Sequence, residues 1–186
     1  MNHMKPIISL FLILALSSVS NAKRRHVDFA ENLTVSAPQD GEVCFSPDEP
    51  CGAKLTTFIT TAQTSLDIAI YDINLDSFVH EILIQSKKMP VRLVVDRRQS
   101  KGPHSAVKLL LRAGIPLRYG HQRGIMHNKF VLIDHKRLET GSFNHTHHAS
   151  QANSENQIYL SDPFIVKRYQ DRFEKLWREA DASFAE

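Results

Sequence analysis

The chain has 186 residues, a formal net charge of +3 and 42% hydrophobic residues, which suits one globular domain with a single core. It contains neither internal repeats nor low-complexity stretches, which excludes a repeat array or a largely disordered chain. The charge is mildly basic, which is compatible with a polyanionic substrate but does not identify one.

The first 22 residues have the pattern of a secretory signal peptide. Lys5 precedes an apolar run over residues 7–16, and Ser20-Asn21-Ala22 offers a small-residue cleavage site. The run is too short to cross a bilayer as a helix, and an uncleaved amphiphilic anchor is the alternative. Cleavage would leave residues 23–186 as one domain with a charge of about +2, because Lys5 is the only charged residue removed. We therefore expect a secreted protein, either periplasmic or extracellular.

Cys44 and Cys51 are the two cysteines of the chain. In an oxidising compartment we expect them to form a disulfide. Closing so short a loop would stabilise the fold by about 2.5 kcal/mol in the chain-entropy model. The alternatives are two free thiols or half of a zinc site, although two cysteines cannot fill four coordination positions.

The rest of the chain alternates between helical and extended patterns. Helices are predicted at 53–62, 77–87 and 106–113, and strands at 66–71, 91–95, 115–119, 130–133 and 157–160. A final helix should begin at Ser161-Asp162-Pro163, with Phe164, Tyr169, Phe173, Leu176 and Trp177 on its apolar, core-facing side. This alternation predicts an α/β fold, a mixed β-sheet flanked by helices on both faces.

A loop of basic residues follows the strand predicted at 91–95. Arg97, Arg98 and Lys101 lie in this loop, where we expect them to hold phosphates that flank the reacting one. An ordinary solvated loop is the alternative. His121 and Arg123 precede the next strand, and we consider them as residues that line the same cleft, with Arg123 a further phosphate ligand.

The most informative stretch runs from His127 to Asp134 and reads H-x-K-x-x-x-x-D. Residues 130–133 are typical of a buried strand, and side chains alternate along a strand, so His127 and Lys129 should share one face. Asp134 lies an odd number of residues from both. In a regular strand its carboxylate would point to the opposite face, so we interpret Asp134 as a structural acceptor.

Gly141-Ser142-Phe143-Asn144 follows shortly after this motif. On an extended segment Ser142 and Asn144 share a face, while Phe143 points into the core. An imidazole, an ammonium, a hydroxyl and a carboxamide would then converge, which suits attack on a phosphodiester. The alternative, a surface histidine and lysine beside an ordinary core strand, is made less plausible by this second motif.

These residues resemble the HKD motif of the phospholipase D superfamily, carried here by His127, Lys129 and Asp134 with the accompanying G-S-x-N. The chain is more closely similar to the small bacterial Nuc-type endonucleases, which carry one motif per chain. The resemblance runs from residue 45 to residue 177 and includes Ser154-Glu155-Asn156. It implies that Glu155 hydrogen-bonds the catalytic histidine. Family members often have Trp or Phe after the motif asparagine, where this chain has His145, so no base-stacking role is carried over to that position.

The resemblance implies a reaction that needs neither metal nor cofactor. His127 attacks phosphorus to form a phosphohistidine, a protonated histidine donates to the leaving oxygen, and water hydrolyses the intermediate. Lys129 and Asn144 would stabilise the phosphorane charge, with Ser142 assisting. Because the motif occurs once, the second histidine should be His127 of the partner subunit in a homodimer with the active site at the twofold interface.

Three further histidines lie just beyond the motif, at His145, His147 and His148. They suggest a metal site, but no carboxylate or cysteine completes a convincing ligand set, so we expect them to form a polar rim of the cleft.

The sequence therefore predicts a secreted, metal-independent endonuclease whose substrate is nucleic acid, DNA before RNA. One alternative is a phospholipase acting on cardiolipin, which the missing membrane span disfavours. The other is a non-enzymatic DNA-binding protein of uptake or conjugation. The complete set His127, Lys129, Asn144 and Glu155 speaks against that role, because binding alone needs no paired histidine.

Overall fold

Seven strands form one mixed sheet in the order β1-β7-β6-β5-β2-β3-β4. The computed structural model describes residues 35–120 and 124–182, which belong to one compact unit. The strands are β1 (Val43–Ser46), β2 (Leu66–Ile70), β3 (Val91–Asp96), β4 (Leu117–Gly120), β5 (Lys129–Ile133), β6 (Arg137–Gly141) and β7 (Glu155–Leu160). The pairs β2/β3 and β3/β4 are parallel and the other pairs are antiparallel. The expected signal peptide, His121 and Arg123 lie outside the described residues.

Helices cover both faces of this sheet. One face carries α1 (Cys51–Thr60), α2 (Asp76–Gln85) and α3 (Val107–Arg112), whose Phe58, Phe78 and Leu110 pack into the larger core. The other face is covered by α5 (Pro163–Glu179), whose buried side chains pack on Ala69, Val94, Phe130 and Leu132. The fold class predicted from the sequence is therefore confirmed. None of the helices in the described ranges has the length and apolarity needed to span a bilayer.

The last helix begins where the sequence predicts. Asp162 accepts hydrogen bonds from the backbone N–H groups of Phe164 and Ile165, and Pro163 occupies the first turn, where it loses no hydrogen bond. Phe173 is fully buried. The sequence places Phe164 on the core-facing side, but it is 71% exposed and its ring faces Arg168 in the next turn of the helix.

The expected disulfide between Cys44 and Cys51 is confirmed. Their Cα atoms lie 5.7 Å apart, and both residues are fully buried. The bond joins the edge strand β1 to the first residue of α1. The strand at the sheet edge is therefore covalently attached to the helix layer.

Three elements were not predicted from the sequence: β1, the short helix α4 (His147–Gln151) and a 3-10 helix at Gln99–Lys101. In addition, β6 ends at Gly141, so Ser142 and Asn144 lie just beyond the strand rather than on it. Asp134 and His135 adopt positive φ values of 57° and 54° and form the tight turn between β5 and β6.

Candidate active site

One end of the sheet gathers the polar side chains of both sequence motifs. Strand β5 begins there with Lys129, which pairs with Ile70 at the end of β2, while β6 ends there and β7 begins. The residues around this point enclose a cavity of about 430 Å³, the active-site cavity, which is lined by His127, Lys129, Gly141, Ser142, Asn144 and Glu155. The structure thus brings together five of the six residues proposed from the sequence for catalysis.

Lys129 lines this cavity and is only 7% exposed. Its Nζ donates a hydrogen bond of 2.9 Å to the carbonyl oxygen of His127 and lies 5.2 Å from the centre of the Tyr71 ring. Burial lowers the pKa of Lys129, while the nearby Glu155 carboxylate acts in the opposite direction. A fixed cation of this kind suits the charge of a phosphate.

His127 is exposed at the mouth of the cavity, and its ring meets the edge of the Tyr71 ring with the centroids 4.7 Å apart. Tyr71 therefore contacts both His127 and Lys129, a role that the sequence did not reveal. The sequence does show that Tyr71 directly follows β2. Its proximity to the motif can be inferred only if β2 is known to pair with β5, and these two strands are distant in sequence.

Ser142 and Glu155 form a hydrogen-bonded group on the other side of the cavity. Ser142 Oγ donates to Glu155 Oε2 at 2.5 Å and accepts from the backbone N–H of Asn156 at 3.1 Å. Asn153 Nδ2 donates to the second oxygen of Glu155 at 3.0 Å. Within the described part of the chain, the Glu155 carboxylate is thus bonded to Ser142 and Asn153. The family resemblance implied a hydrogen bond from Glu155 to His127, and the structure, which describes both residues, does not show that bond.

Gly141 allows this group to form. A Cβ atom at this position would lie 2.1 Å from the carbonyl oxygen of Asn156, so any side chain would push β6 and β7 apart. The next motif residue, Phe143, is buried as expected, and Asn144 lines the cavity. The Oδ1 atom of Asn144 has no hydrogen-bond partner among the described residues.

Asp134 lies at the other end of β5 and does not line the active-site cavity. Its carboxylate accepts hydrogen bonds from the backbone N–H groups of Gln63, Thr64 and Ser65 and from the Thr64 hydroxyl. Partial burial alone would raise the pKa of Asp134, but these hydrogen bonds together lower it. The geometry is that of an ionised carboxylate that fastens the β5–β6 turn to the loop before β2.

The basic loop after β3 lies at the same end of the sheet as the cavity. The buried Asp96 carboxylate connects the two regions, because it accepts from the backbone N–H groups of Arg98 and Gln99 and from that of Met126, just before the motif. Arg97 is already engaged, since its guanidinium pairs with Asp181 and lies 5.8 Å from the Tyr119 ring. Arg98 and Lys101 are exposed, and Lys101 lies at the end of a short 3-10 helix.

His145 is not part of a polar rim, which corrects the expectation from the sequence. It is fully buried, packs edge-on against Phe78 with the ring centroids 4.5 Å apart, and bonds through its backbone to Asp72 and Asn74. His147 and His148 are exposed. Within the described ranges, no group of three or more His, Cys, Asp or Glu side chains could hold a metal ion.

Glu139 is the partner of His145 in the core, with 3.9 Å between Oε2 and Nε2. Both side chains are fully buried, and their four polar atoms lack hydrogen-bond partners among the described residues. Burial raises the pKa of Glu139 well above its ordinary value. Burial and the nearby Lys129 lower the pKa of His145 to about 3. The two groups are therefore a neutral pair rather than a salt bridge.

Comparison with known proteins agrees with this geometry. A family model described as cardiolipin synthase, PLD-like domain, matches residues 55–177. A mitochondrial cardiolipin hydrolase of Xenopus laevis is 35% identical over 130 residues, which are 69% of this chain and 62% of that protein. A phospholipase D of Rickettsia bellii is 34% identical over 140 residues, 74% of this chain and 69% of that protein. The chain thus spans less than two thirds of the length of the Xenopus relative.

Solved structures show the same fold. Nuc of Salmonella typhimurium, a phospholipase D family member, superposes with a TM-score of 0.72 at 26% identity over 76% of this chain and 96% of its own. NucT of Helicobacter pylori gives a TM-score of 0.71 at 21% identity, a likeness of fold. Since the family model matches more than half of the chain and its relatives exceed 30% identity, the chain belongs to the phospholipase D superfamily of phosphodiesterases.

Proposed function

We propose that this protein is an endonuclease that hydrolyses nucleic acid through a phosphohistidine intermediate. The observation that carries the proposal is the active-site cavity, where an exposed imidazole lies beside a fixed ammonium, a hydroxyl and a carboxamide. The likeness to Nuc, which extends over nearly all of that chain, supports nucleic acid as the substrate. We propose DNA in the first place.

In the proposed reaction, His127 attacks phosphorus, so that an N–P bond forms as the bond to the leaving oxygen breaks. A protonated histidine donates its proton to that oxygen and then, as a base, activates the water that hydrolyses the intermediate. Lys129 and Asn144 would stabilise the charge on the phosphoryl oxygens. Ser142 is held by Glu155 at the cavity wall, where its hydroxyl would assist. These side chains supply the electrophilic groups themselves, so we expect no metal requirement.

The second histidine of this mechanism would be His127 of the partner subunit. Each chain supplies one motif, and its His127 is exposed at the mouth of the cavity, where a twofold axis could bring two copies face to face. We therefore propose a homodimer with one composite active site. The disulfide supports a protein that works in an oxidising compartment, the periplasm or the medium.

A lipid phosphodiester is the second candidate substrate, because the Xenopus and Rickettsia relatives are named for cardiolipin hydrolysis and phospholipase D activity. The same four groups could attack either kind of phosphodiester. The choice between them therefore rests on the surface around the cavity rather than on its chemistry.

The test is a comparison of rates on plasmid DNA, single-stranded DNA and cardiolipin vesicles, each with and without millimolar EDTA. The protein used is residues 23–186, with Lys129→Ala as the inactive control. We expect DNA cleavage that persists in EDTA and falls by orders of magnitude in the control. Faster hydrolysis of cardiolipin would transfer the assignment to a phospholipase. Loss of DNA cleavage in EDTA, with recovery on adding magnesium or zinc, would contradict the metal-independent mechanism.

A further inference from the structure

A second cavity lies beside the HKD motif, outside the catalytic group. It has a volume of about 330 Å³ and is lined by Asn128, Arg168, Tyr169 and Arg172. We call these four residues the arginine cradle. All four side chains carry hydrogen-bond donors, and none of the described residues that line the cavity carries a carboxylate. Such a lining suits an anion.

The arginine cradle is near the active site but on the other face of the sheet. Asn128 stands between the motif residues His127 and Lys129 at the start of β5, and alternation turns it with Phe130 toward α5. Tyr169 of α5 packs edge-on against the Phe130 ring at 5.1 Å. The cradle and the active-site cavity therefore open at the same end of β5.

The arginines of the cradle are not neutralised by neighbouring acids. Both are exposed, and Arg172 forms no ion pair with another described residue. Arg168 lies 6.0 Å from the Phe164 ring. The acidic residues nearby on α5 are paired elsewhere, Asp171 with Lys167 at 2.7 Å and Glu174 with Arg92 at 2.7 Å.

A row of positive charge continues from the cradle along the helix. Arg168, Arg172 and Lys175 follow one another at the spacing of a single helix stripe. Arg172 and Lys175 also line a neighbouring cavity with Gly120 at the end of β4 and with Glu179, whose carboxylate lies 3.9 Å from Lys175 Nζ. The row thus begins beside the motif strand with two arginines, while Lys175 at its far end is paired with Glu179.

We propose that the arginine cradle binds a backbone phosphate of the nucleic acid that flanks the scissile phosphate. Guanidinium groups pair with phosphate oxygens through two parallel hydrogen bonds, and Asn128 and Tyr169 add further donors. This inference rests on the proposed nuclease function and names the surface along which its substrate would run. It places the flanking phosphate on α5, in addition to the loop after β3 that the sequence suggested.

The test compares the double variant Arg168→Glu/Arg172→Glu with Lys87→Glu/Lys88→Glu. Lys87 and Lys88 are exposed and follow α2, at the end of the sheet opposite to the active-site cavity. The control variant therefore changes the net charge by the same amount but at a site far from the cradle. Each protein is assayed on single-stranded DNA across a salt series and on bis(4-nitrophenyl) phosphate, which carries a single phosphate.

For the cradle variant we expect KM for DNA to rise about tenfold or more. The slope of log KM against log salt should become shallower by about one for each phosphate that the variant no longer binds. Rates on the small diester should stay at the wild-type value, and the Lys87/Lys88 control should cleave both substrates normally. Arg168→Lys/Arg172→Lys should recover only part of the affinity for DNA, because lysine lacks the paired donors.

An unchanged KM for DNA, or an equal rise in the control, would overturn the proposal, since the effect would then be absent or due to net charge alone. Impaired binding to cardiolipin vesicles with normal DNA cleavage would also overturn it and point to a lipid surface. If the wild type hydrolyses the small diester but not DNA, the nuclease assignment itself fails. Should the glutamate variant not fold, Arg168→Gln/Arg172→Gln gives the same comparison without added negative charge.

Discussion

His127 and Asp134 belong to the same motif but lie at opposite ends of β5, so their variants should differ in kind. His127→Asn should abolish turnover at an unchanged melting temperature, because the ring is exposed and stabilises little. Asp134→Asn should lower the stability by about 1–3 kcal/mol while leaving substantial activity, because its carboxylate accepts hydrogen bonds from Gln63–Ser65. Thermal unfolding and initial rates measure both. Equal loss of rate without a change in stability would show that Asp134 takes part in the reaction.

Gly141 allows a second test at the level of one residue. In Gly141→Ala the new methyl group would meet the carbonyl oxygen of Asn156, so β6 and β7 must separate and Ser142 must move. We expect a loss of stability of about 1–3 kcal/mol together with a large fall in kcat. Ser142→Ala removes the hydroxyl without a clash and should keep more of the stability. Wild-type behaviour of Gly141→Ala would contradict the close packing of the two strands.

At the level of secondary structure elements, the segment from β6 to α4 buries the neutral Glu139–His145 pair. Glu139 and His145 should contribute to the pH dependence of the free energy of unfolding with opposite signs. The lowered pKa of His145 makes the unfolded chain bind the extra proton below pH 6.5, so this group costs stability as pH falls from 6.5 toward 3. The raised pKa of Glu139 makes the folded chain keep a proton above pH 4.5, so this group costs stability as pH rises above 4.5.

Single variants should separate these two effects between pH 4.5 and 6.5. Glu139→Gln should make the free energy of unfolding rise more steeply with pH than in the wild type, by up to about 1.4 kcal/mol per pH unit. His145→Phe should make it fall with pH relative to the wild type. Urea unfolding across this range measures both slopes. Parallel curves for all three proteins would mean that the pair titrates identically in the folded and unfolded chains.

The sequence predicts those elements whose pattern is local. The apolar runs of β2, β3 and β5 and the Asp162-Pro163 start of α5 each lie within one short segment, and the structure has all of them. Strand β1 depends on pairing with β7, more than a hundred residues later, and a four-residue strand has little pattern of its own. The burial of His145 likewise depends on its backbone contacts with Asp72 and Asn74 in the loop before α2. Contacts between distant segments are therefore what the sequence does not show.

For the whole molecule, the proposed mechanism would require two subunits to cooperate, because each chain carries a single copy of the motif. One chain supplies one HKD histidine to the active-site cavity, and the reaction needs both a nucleophile and an acid. We expect the protein to sediment as a dimer. We also expect His127→Ala to inactivate both members of a mixed pair, because the composite site would lack one of its two imidazoles.

This prediction can be measured with two differently tagged subunits, one wild type and one His127→Ala, that are co-expressed and purified through both tags. The mixed dimer should have almost no steady-state activity on DNA, although its intact His127 can still accept the phosphoryl group and hold it as a phosphohistidine. Two independent active sites would instead leave half of the wild-type activity, and a fully active monomer would need its acid from within the chain. In either case His121 becomes the next histidine to replace, because it precedes the motif by only a few residues.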